Sequence, residues 1–142
     1  MAAEYAKILK YRKDAYIIGI YSRTYLKARV FAKKKMIKKI YKNLNLLLED
    51  SNIDIIIVCV SDENVGSVLK KIVKTKKIIL TEKPIGLSYL EAKKNLDEAI
   101  KNKTKLFIAL NRRYYPSTME LQKILSKKLS QNKRLSDEGS SD

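Results

Sequence analysis

The side chains able to do chemistry collect just after apolar runs. Ser22-Arg23 follows Ala15 to Tyr21, Ser61 to Asn64 follows Ile53 to Val60, Glu82-Lys83-Pro84 follows Lys77 to Thr81, and Asn111-Arg112-Arg113 follows Leu106 to Leu110. The chemistry open to them is hydrogen bonding and charge. A guanidinium matches phosphate oxygens bidentately. A partly desolvated ammonium can orient a hydroxyl and stabilise negative charge developing on oxygen. Other chemistries are closed. The chain has no histidine, which rules out a Ser-His-Asp triad and removes the commonest metal ligand and general base. With Cys59 as the single cysteine, no zinc site is expected, and no residue is assigned to a metal.

These residues need a scaffold that brings strand ends to one rim. Tyr5, Ile8 and Leu9 have the spacing of a short amphipathic helix. Ala15 to Tyr21 reads as a buried strand, and Ala28, Phe31 and Ala32 mark a helix. Met36 to Tyr41 reads as a short edge strand. Asn43 is placed to cap a helix carrying Leu44, Leu47 and Leu48. Ile53 to Val60 is β-branched almost throughout and too apolar to face water on either side. Val65, Val68, Leu69, Ile72 and Val73 form a helical stripe. Lys77 to Thr81 is strand again, stopped by Pro84. Ser88 to Glu91 is a capping-box sequence, opening a helix with a predicted buried face of Ala92, Leu96, Ala99 and Ile100. Leu106 to Leu110 is a further strand, Asn111 to Ser117 a loop, and Leu121, Ile124, Leu125 and Leu129 belong to a last helix. Residues 1–129 are read as one domain, and 130–142 as a disordered tail. Alternating strands and helices predict right-handed crossovers and a parallel sheet, whose ligands gather at the carboxyl ends of the strands.

Composition bounds the partners. The formal charge is +16, from 31 basic and 15 acidic residues. The lysines are spread over nearly every segment, and arginine is sparse, whereas sequence-specific nucleic-acid readers lean on arginine. A solvated basic surface is therefore preferred to a nucleic-acid partner, although weak salt-dependent binding is compatible with it. No apolar stretch approaches the ~20 residues of a membrane span, so no membrane partner is expected. The opening Met-Ala-Ala-Glu-Tyr does not read as a signal peptide. A lone cysteine fits a reducing, cytoplasmic setting.

The strand-end residues also form an ordered set. Thr81-Glu82-Lys83-Pro84-Ile85-Gly86 resembles the Glu-Lys-Pro signature of the Gfo/Idh/MocA (glucose–fructose oxidoreductase / inositol dehydrogenase) oxidoreductases. Leu110-Asn111-Arg112-Arg113-Tyr114-Tyr115 resembles the asparagine-arginine-arginine-aromatic segment of many members. Asn52 to Val58, running into Cys59-Val60-Ser61, looks like the family's fourth strand, and the intervals match as well. The resemblance spans roughly Tyr5 to Leu125. It implies an α/β fold, a Rossmann-like parallel sheet flanked by helices. It also implies hydride transfer between a nicotinamide and a sugar or cyclitol carbon.

On that resemblance, Ser22 and Arg23 end the second strand. An acidic residue there would bind the ribose hydroxyls of NAD, whereas serine and arginine can accept a 2′-phosphate, so NADP is expected over NAD. Lys83 is the expected catalytic residue, beside the nicotinamide and the reacting hydroxyl, with Glu82 by the cofactor and Pro84 fixing the loop. Ser61 and Asn64 are placed at the cofactor's ribose or diphosphate, although Asn64 reads equally well as a helix cap. Asn111 and Arg112, with Arg113, face the cofactor carboxamide or an acidic substrate group, or else anchor a further domain.

The pattern is departed from at both ends. The resemblance implies a first strand and a Gly-x-Gly-x-x-Gly turn ahead of Tyr5, where only Met1 to Glu4 stand, none of them glycine. That turn is the main diphosphate anchor. No substrate domain follows, so a truncated product, inactive alone, is expected. Since the first strand is central in the order 3-2-1-4-5-6, the chain should be marginal, pair strand two with strand four, or borrow an edge by self-association or from a complementing fragment. Two other classes remain open: a non-catalytic nucleotide- or protein-binding module, and a basic nucleic-acid-binding domain.

Overall fold

A computed structural model describes residues 1–138. Two compact units divide the chain, Met1–Ala109 and a second beginning at Leu110, where the sequence reading drew one domain to residue 129. The first unit runs α1 (Ala2–Lys10), β1 (Gly19–Ile20), α2 (Tyr25–Lys35), β2 (Lys39–Ile40), α3 (Leu44–Glu49), β3 (Ile55–Val58), α4 (Asp62–Ile72), β4 (Ile78–Thr81), α5 (Tyr89–Lys101) and β5 (Leu106–Ile108). Every strand pairing is parallel, as the crossovers require.

The strands form two sheets, β1-β2 and β3-β4-β5. Strand two and strand four therefore do not pair with each other, against one of the expectations. A ladder exists only where a partner lies alongside, so β1 covers Gly19 and Ile20 alone instead of Ala15 to Tyr21. β3 to β5 keep a full register, with Ile55 opposite Ile78, Val58 opposite Thr81, and Thr81 opposite Ile108.

Capping and dipole chemistry place the helices. Asn43 accepts a hydrogen bond from the Leu46 N–H at 2.9 Å and starts α3. α4 has Asp62 and Glu63 in its first turn and Lys70 and Lys71 in its last, the polarity the helix dipole favours. Its stripe is buried as expected, with Leu69 and Ile72 fully enclosed. Ser88 Oγ accepts from the Glu91 N–H at 3.2 Å, while the Glu91 carboxylate accepts from the Leu87 N–H at 2.7 Å, a capping box displaced by one residue. α5 buries Asn95 and Ala99, not Leu96 and Ile100, which are exposed. The cause is Asn95, whose Nδ2 donates to the Ile85 carbonyl at 2.9 Å and turns that face inward.

The core joins Tyr41 of the β2 end, Ile53, Ile56 and Val58 around β3, the α4 stripe, Val73, Ile79 of β4 and Ala99 of α5, with Ile18 and Tyr21 packed against it. Polar ties gather at the amino-terminal ends of the central strands. Lys77 Nζ donates to the Asp50 and Ile53 carbonyls at 2.7 Å each. Thr104 Oγ1 donates to the carbonyls of Val73 at 2.6 Å and Thr75 at 2.9 Å. The Asp50 carboxylate accepts from Lys39 Nζ, the Tyr41 hydroxyl and Asn52, and the Lys39 ammonium first among these holds it well below the usual carboxylate range.

In the second unit a 3₁₀ turn, Asn111–Tyr114, precedes α6, Pro116–Glu138. The segment read as a loop is thus partly helical, with proline at the first helical position. α6 continues past Ser130, where no regular structure was expected. Residues 139–142 of the expected tail lie outside the described residues.

Candidate functional site

The carboxyl ends of β3 and β4 lie side by side, and the loops beyond them hold most of the expected residues. Ser61 caps α4. Asn64 donates its Nδ2 to Ser61 Oγ at 2.6 Å, and its backbone N–H to the Ser61 carbonyl at 2.8 Å. Asn64 thus lies inside the first turn of α4, and the cap position considered for it is held by Ser61. Glu82 is fixed through its backbone, its N–H donating to the Val58 carbonyl at 3.2 Å. Buried Thr81 adds a hydroxyl bond to the Glu82 carbonyl at 3.1 Å. Lys83-Pro84 is a cis peptide. After it the chain turns tightly at Gly86, where a Cβ would stand 2.6 Å from the Ala92 backbone nitrogen.

Lys83 is exposed, and no hydrogen bond or ion pair engages its side chain among the described residues. The desolvation expected to activate its ammonium is not supplied by these residues. Ser22 and Arg23 follow β1, in the other sheet. Ser22 Oγ accepts the Thr24 N–H at 3.3 Å, and Arg23 is exposed. No hydrogen bond or ion pair joins this pair to the Glu82-Lys83 loop among the described residues. Asn111 and Arg112 belong to the 3₁₀ turn of the second unit, and both are exposed.

One participant escaped the sequence reading. The Tyr5 hydroxyl donates to Glu82 Oε1 at 2.9 Å, tying α1 to the loop after β4. Burial first, and then the Glu82 carboxylate, push the Tyr5 hydroxyl up to about 12. Cys59, half-buried beside them, is also raised, by burial and then by Glu82, with the Met1 ammonium opposing the rise. The only sequence signal for Tyr5 was its helical spacing with Ile8 and Leu9, which marks a packed face and not a hydrogen bond across 77 residues.

The pH consequence has a definite sign. A hydroxyl whose folded value is raised contributes stability that is full below its ordinary value near 10 and is lost as pH climbs towards about 12. Wild-type protein should therefore lose stability over that alkaline window more steeply than Tyr5→Phe. Urea midpoints measured from pH 9 upwards test this, and parallel curves for the two proteins would contradict it.

The profile of the oxidoreductase family with an NAD-binding Rossmann fold, Gfo/Idh/MocA, matches residues 1–110. The chain belongs to this family. Myo-inositol 2-dehydrogenase of Thermotoga maritima is 30% identical over 110 residues, 78% of this chain and 33% of the relative. Trans-1,2-dihydrobenzene-1,2-diol dehydrogenase of Danio rerio is 26% identical over the same length, with the same coverage. A crystal structure described as a probable dehydrogenase from Thermotoga maritima superimposes with a TM-score of 0.77 at 26% identity, covering 88% of this chain and 37% of that one. This Gfo/Idh/MocA chain thus spans about a third of the length of the curated relatives it matches. Among its described residues no helix is long and apolar enough to cross a membrane.

Proposed function

We propose that this chain is the cofactor-binding part of an NAD(P)-dependent oxidoreductase acting on a sugar, cyclitol or related polyol, holding NADP in preference to NAD, in a cytoplasmic setting. The observation that carries the cofactor preference is the Ser22-Arg23 pair at the carboxyl end of β1, with Arg23 exposed and no acidic residue from Ser22 to Val30. A guanidinium beside a hydroxyl suits a phosphate monoester. The relative named for myo-inositol motivates the cyclitol.

The residues fit a dinucleotide in part. Ser22 and Arg23 would hold the 2′-phosphate. Ser61, with Asn64 behind it, would meet the ribose or diphosphate from the start of α4. The diphosphate end fits less well at α1, whose first turn carries Glu4, a charge that opposes an anion there. When bound, the nicotinamide donates or accepts the hydride. Lys83 would orient the reacting hydroxyl and offset charge on its oxygen, with Glu82 beside it and Pro84 fixing the loop. Asn111 and Arg112 are assigned to the carboxamide or to an acidic substrate group. The exposure of Lys83 favours a second reading for these residues alone: nucleotide binding without turnover.

Fluorescence titration of the full chain with NADPH and NADH tests the proposal. NADPH should bind more tightly, and Arg23→Ala should weaken NADPH about tenfold or more while leaving NADH nearly unchanged, as loss of a charged hydrogen bond requires. Equal losses for both nucleotides would remove the NADP assignment. No binding of either would remove the cofactor site.

A further inference from the structure

We infer that the outward face of α2 is a docking surface for an anionic lipid membrane, on which the helix lies flat. Among the described α-helices, α2 alone carries cations and no anion. α1, α4, α5 and α6 each set acidic residues against their lysines. The imbalance extends beyond the helix: from Ala15 to Leu48 there are nine lysines and arginines and no aspartate or glutamate. Of these nine, Lys39 is paired with Asp50. Lys27, Arg29, Lys33 and Lys34 are all exposed, and among the described residues none of them joins an ion pair.

Charge alone would be an ordinary solvated face. The helix dipole accounts for Lys33 and Lys34 in the last turn, but not for Lys27 and Arg29, nor for the apolar residues among them. α2 packs inward through Ala28 and Ala32, which are buried. At about 100° per residue, the opposite direction is that of Val30, with Leu26 one turn before it. Lys27 and Lys34 fall on one side of this pair, Arg29 and Lys33 on the other. Leu26 is 66% and Val30 62% exposed, so the helix is apolar on two sides, of which only one packs on the protein. At its carboxyl end Met36 adopts φ 57° and ψ 37°, the left-handed region that glycine fills most easily. The residue held there is instead a methionine, 70% exposed.

That combination selects the partner. The unpaired cations call for an anionic surface, and the aliphatic side chains for an apolar layer beneath it. Leucine, valine and methionine bracketed by lysines suit a helix lying at the boundary of headgroups and acyl chains, where clustered cations are drawn to acidic lipids. A nucleic acid would satisfy the cations but leave Leu26 and Val30 in water, because aliphatic chains offer no stacking platform for bases. A contact of this kind needs no spanning helix, and none is present among the described residues. Nor does it depend on Arg23, which is proposed for the nucleotide.

Co-sedimentation of the full chain with phosphatidylcholine vesicles, with and without phosphatidylserine, tests the docking surface. The chain should pellet with the acidic vesicles alone, and less so as salt rises. Lys27→Gln with Lys34→Gln should weaken binding about tenfold or more. Lys70→Gln with Lys71→Gln, the same loss of charge on α4, should have much less effect. Leu26→Ser with Val30→Ser should also weaken it about tenfold or more, at unchanged charge and with an unchanged circular dichroism spectrum. Since the chain has no tryptophan, Val30→Trp gives an independent reporter. Its emission should shift to the blue on acidic vesicles, while that of Ile100→Trp, at an exposed position of α5, should not. Equal pelleting with neutral vesicles, equal losses for the two lysine pairs, or full binding by a folded serine variant would overturn the inference. So would a Val30→Trp shift with a single-stranded oligonucleotide and none with vesicles, the sign of a nucleic-acid face.

Discussion

Leu69→Ala should lower the unfolding free energy by about 2–5 kcal/mol, the range for truncating a buried leucine in a core that relaxes only in part. Leu69 is fully enclosed, on the α4 face that also carries Val65 and Ile72. Both the lost transfer energy and the cavity left behind count against the fold. A domain of this size holds only ~5–15 kcal/mol in total, and among the described residues β1 and β3 each pair along one edge alone. Packing of α4 therefore carries a large share of what remains. Urea denaturation of the variant should show the midpoint falling steeply, with little change in slope. A loss below about 1 kcal/mol would mean that the α4 layer does not hold the sheet.

Gly86→Ala should be the most damaging small change near the site. The added methyl would meet the Ala92 nitrogen at 2.6 Å and the Ala92 Cα and Glu91 carbonyl carbon at 3.0 Å. These are backbone atoms of the first turns of α5 and have no rotamer by which to yield. Overpacking of this kind costs about 1–3 kcal/mol. Here it also presses on the loop that carries Glu82, Lys83 and Pro84. Stability and nucleotide affinity should therefore fall together. Gly66→Ala is the comparison, because its methyl would meet the Glu91 carboxylate, the movable end of a side chain, and should cost less. Equal losses at the two glycines would show that the 82–86 loop is not pinned by its approach to α5.

The α/β alternation was legible because it rests on periodicity. The stripe of α4 and the caps at Asn43 and Ser88 each leave a local signal and formed as read, whereas the β-branched run expected to be strand over Ile53 to Val60 and covered on both faces pairs only over Ile55–Val58 and leaves Ile55 and Val60 exposed. Two kinds of feature were not legible. The extent of β1 depends on its neighbour, which periodicity within Ala15 to Tyr21 does not report. The buried face of α5 was set by a polar residue, Asn95, and its distant carbonyl partner, where a hydrophobic count favoured Leu96 and Ile100. The site divides in the same way. Strand ends pointed to Ser22, Ser61 and Glu82 as positions, but not to the Tyr5–Glu82 bond or the exposure of Lys83. Both depend on what α1 and the surrounding chain place beside the loop.

The ties of Lys77 and Thr104 lie at the amino-terminal ends of β3, β4 and β5, while Ser22, Arg23, Ser61 and Lys83 follow the carboxyl ends. Fastening and the residues proposed for the nucleotide thus lie at opposite ends of the strands. An exchange at Arg23 or Lys83 disturbs none of these fasteners. Such a scaffold can be retuned from one nucleotide to another without renegotiating its own cohesion.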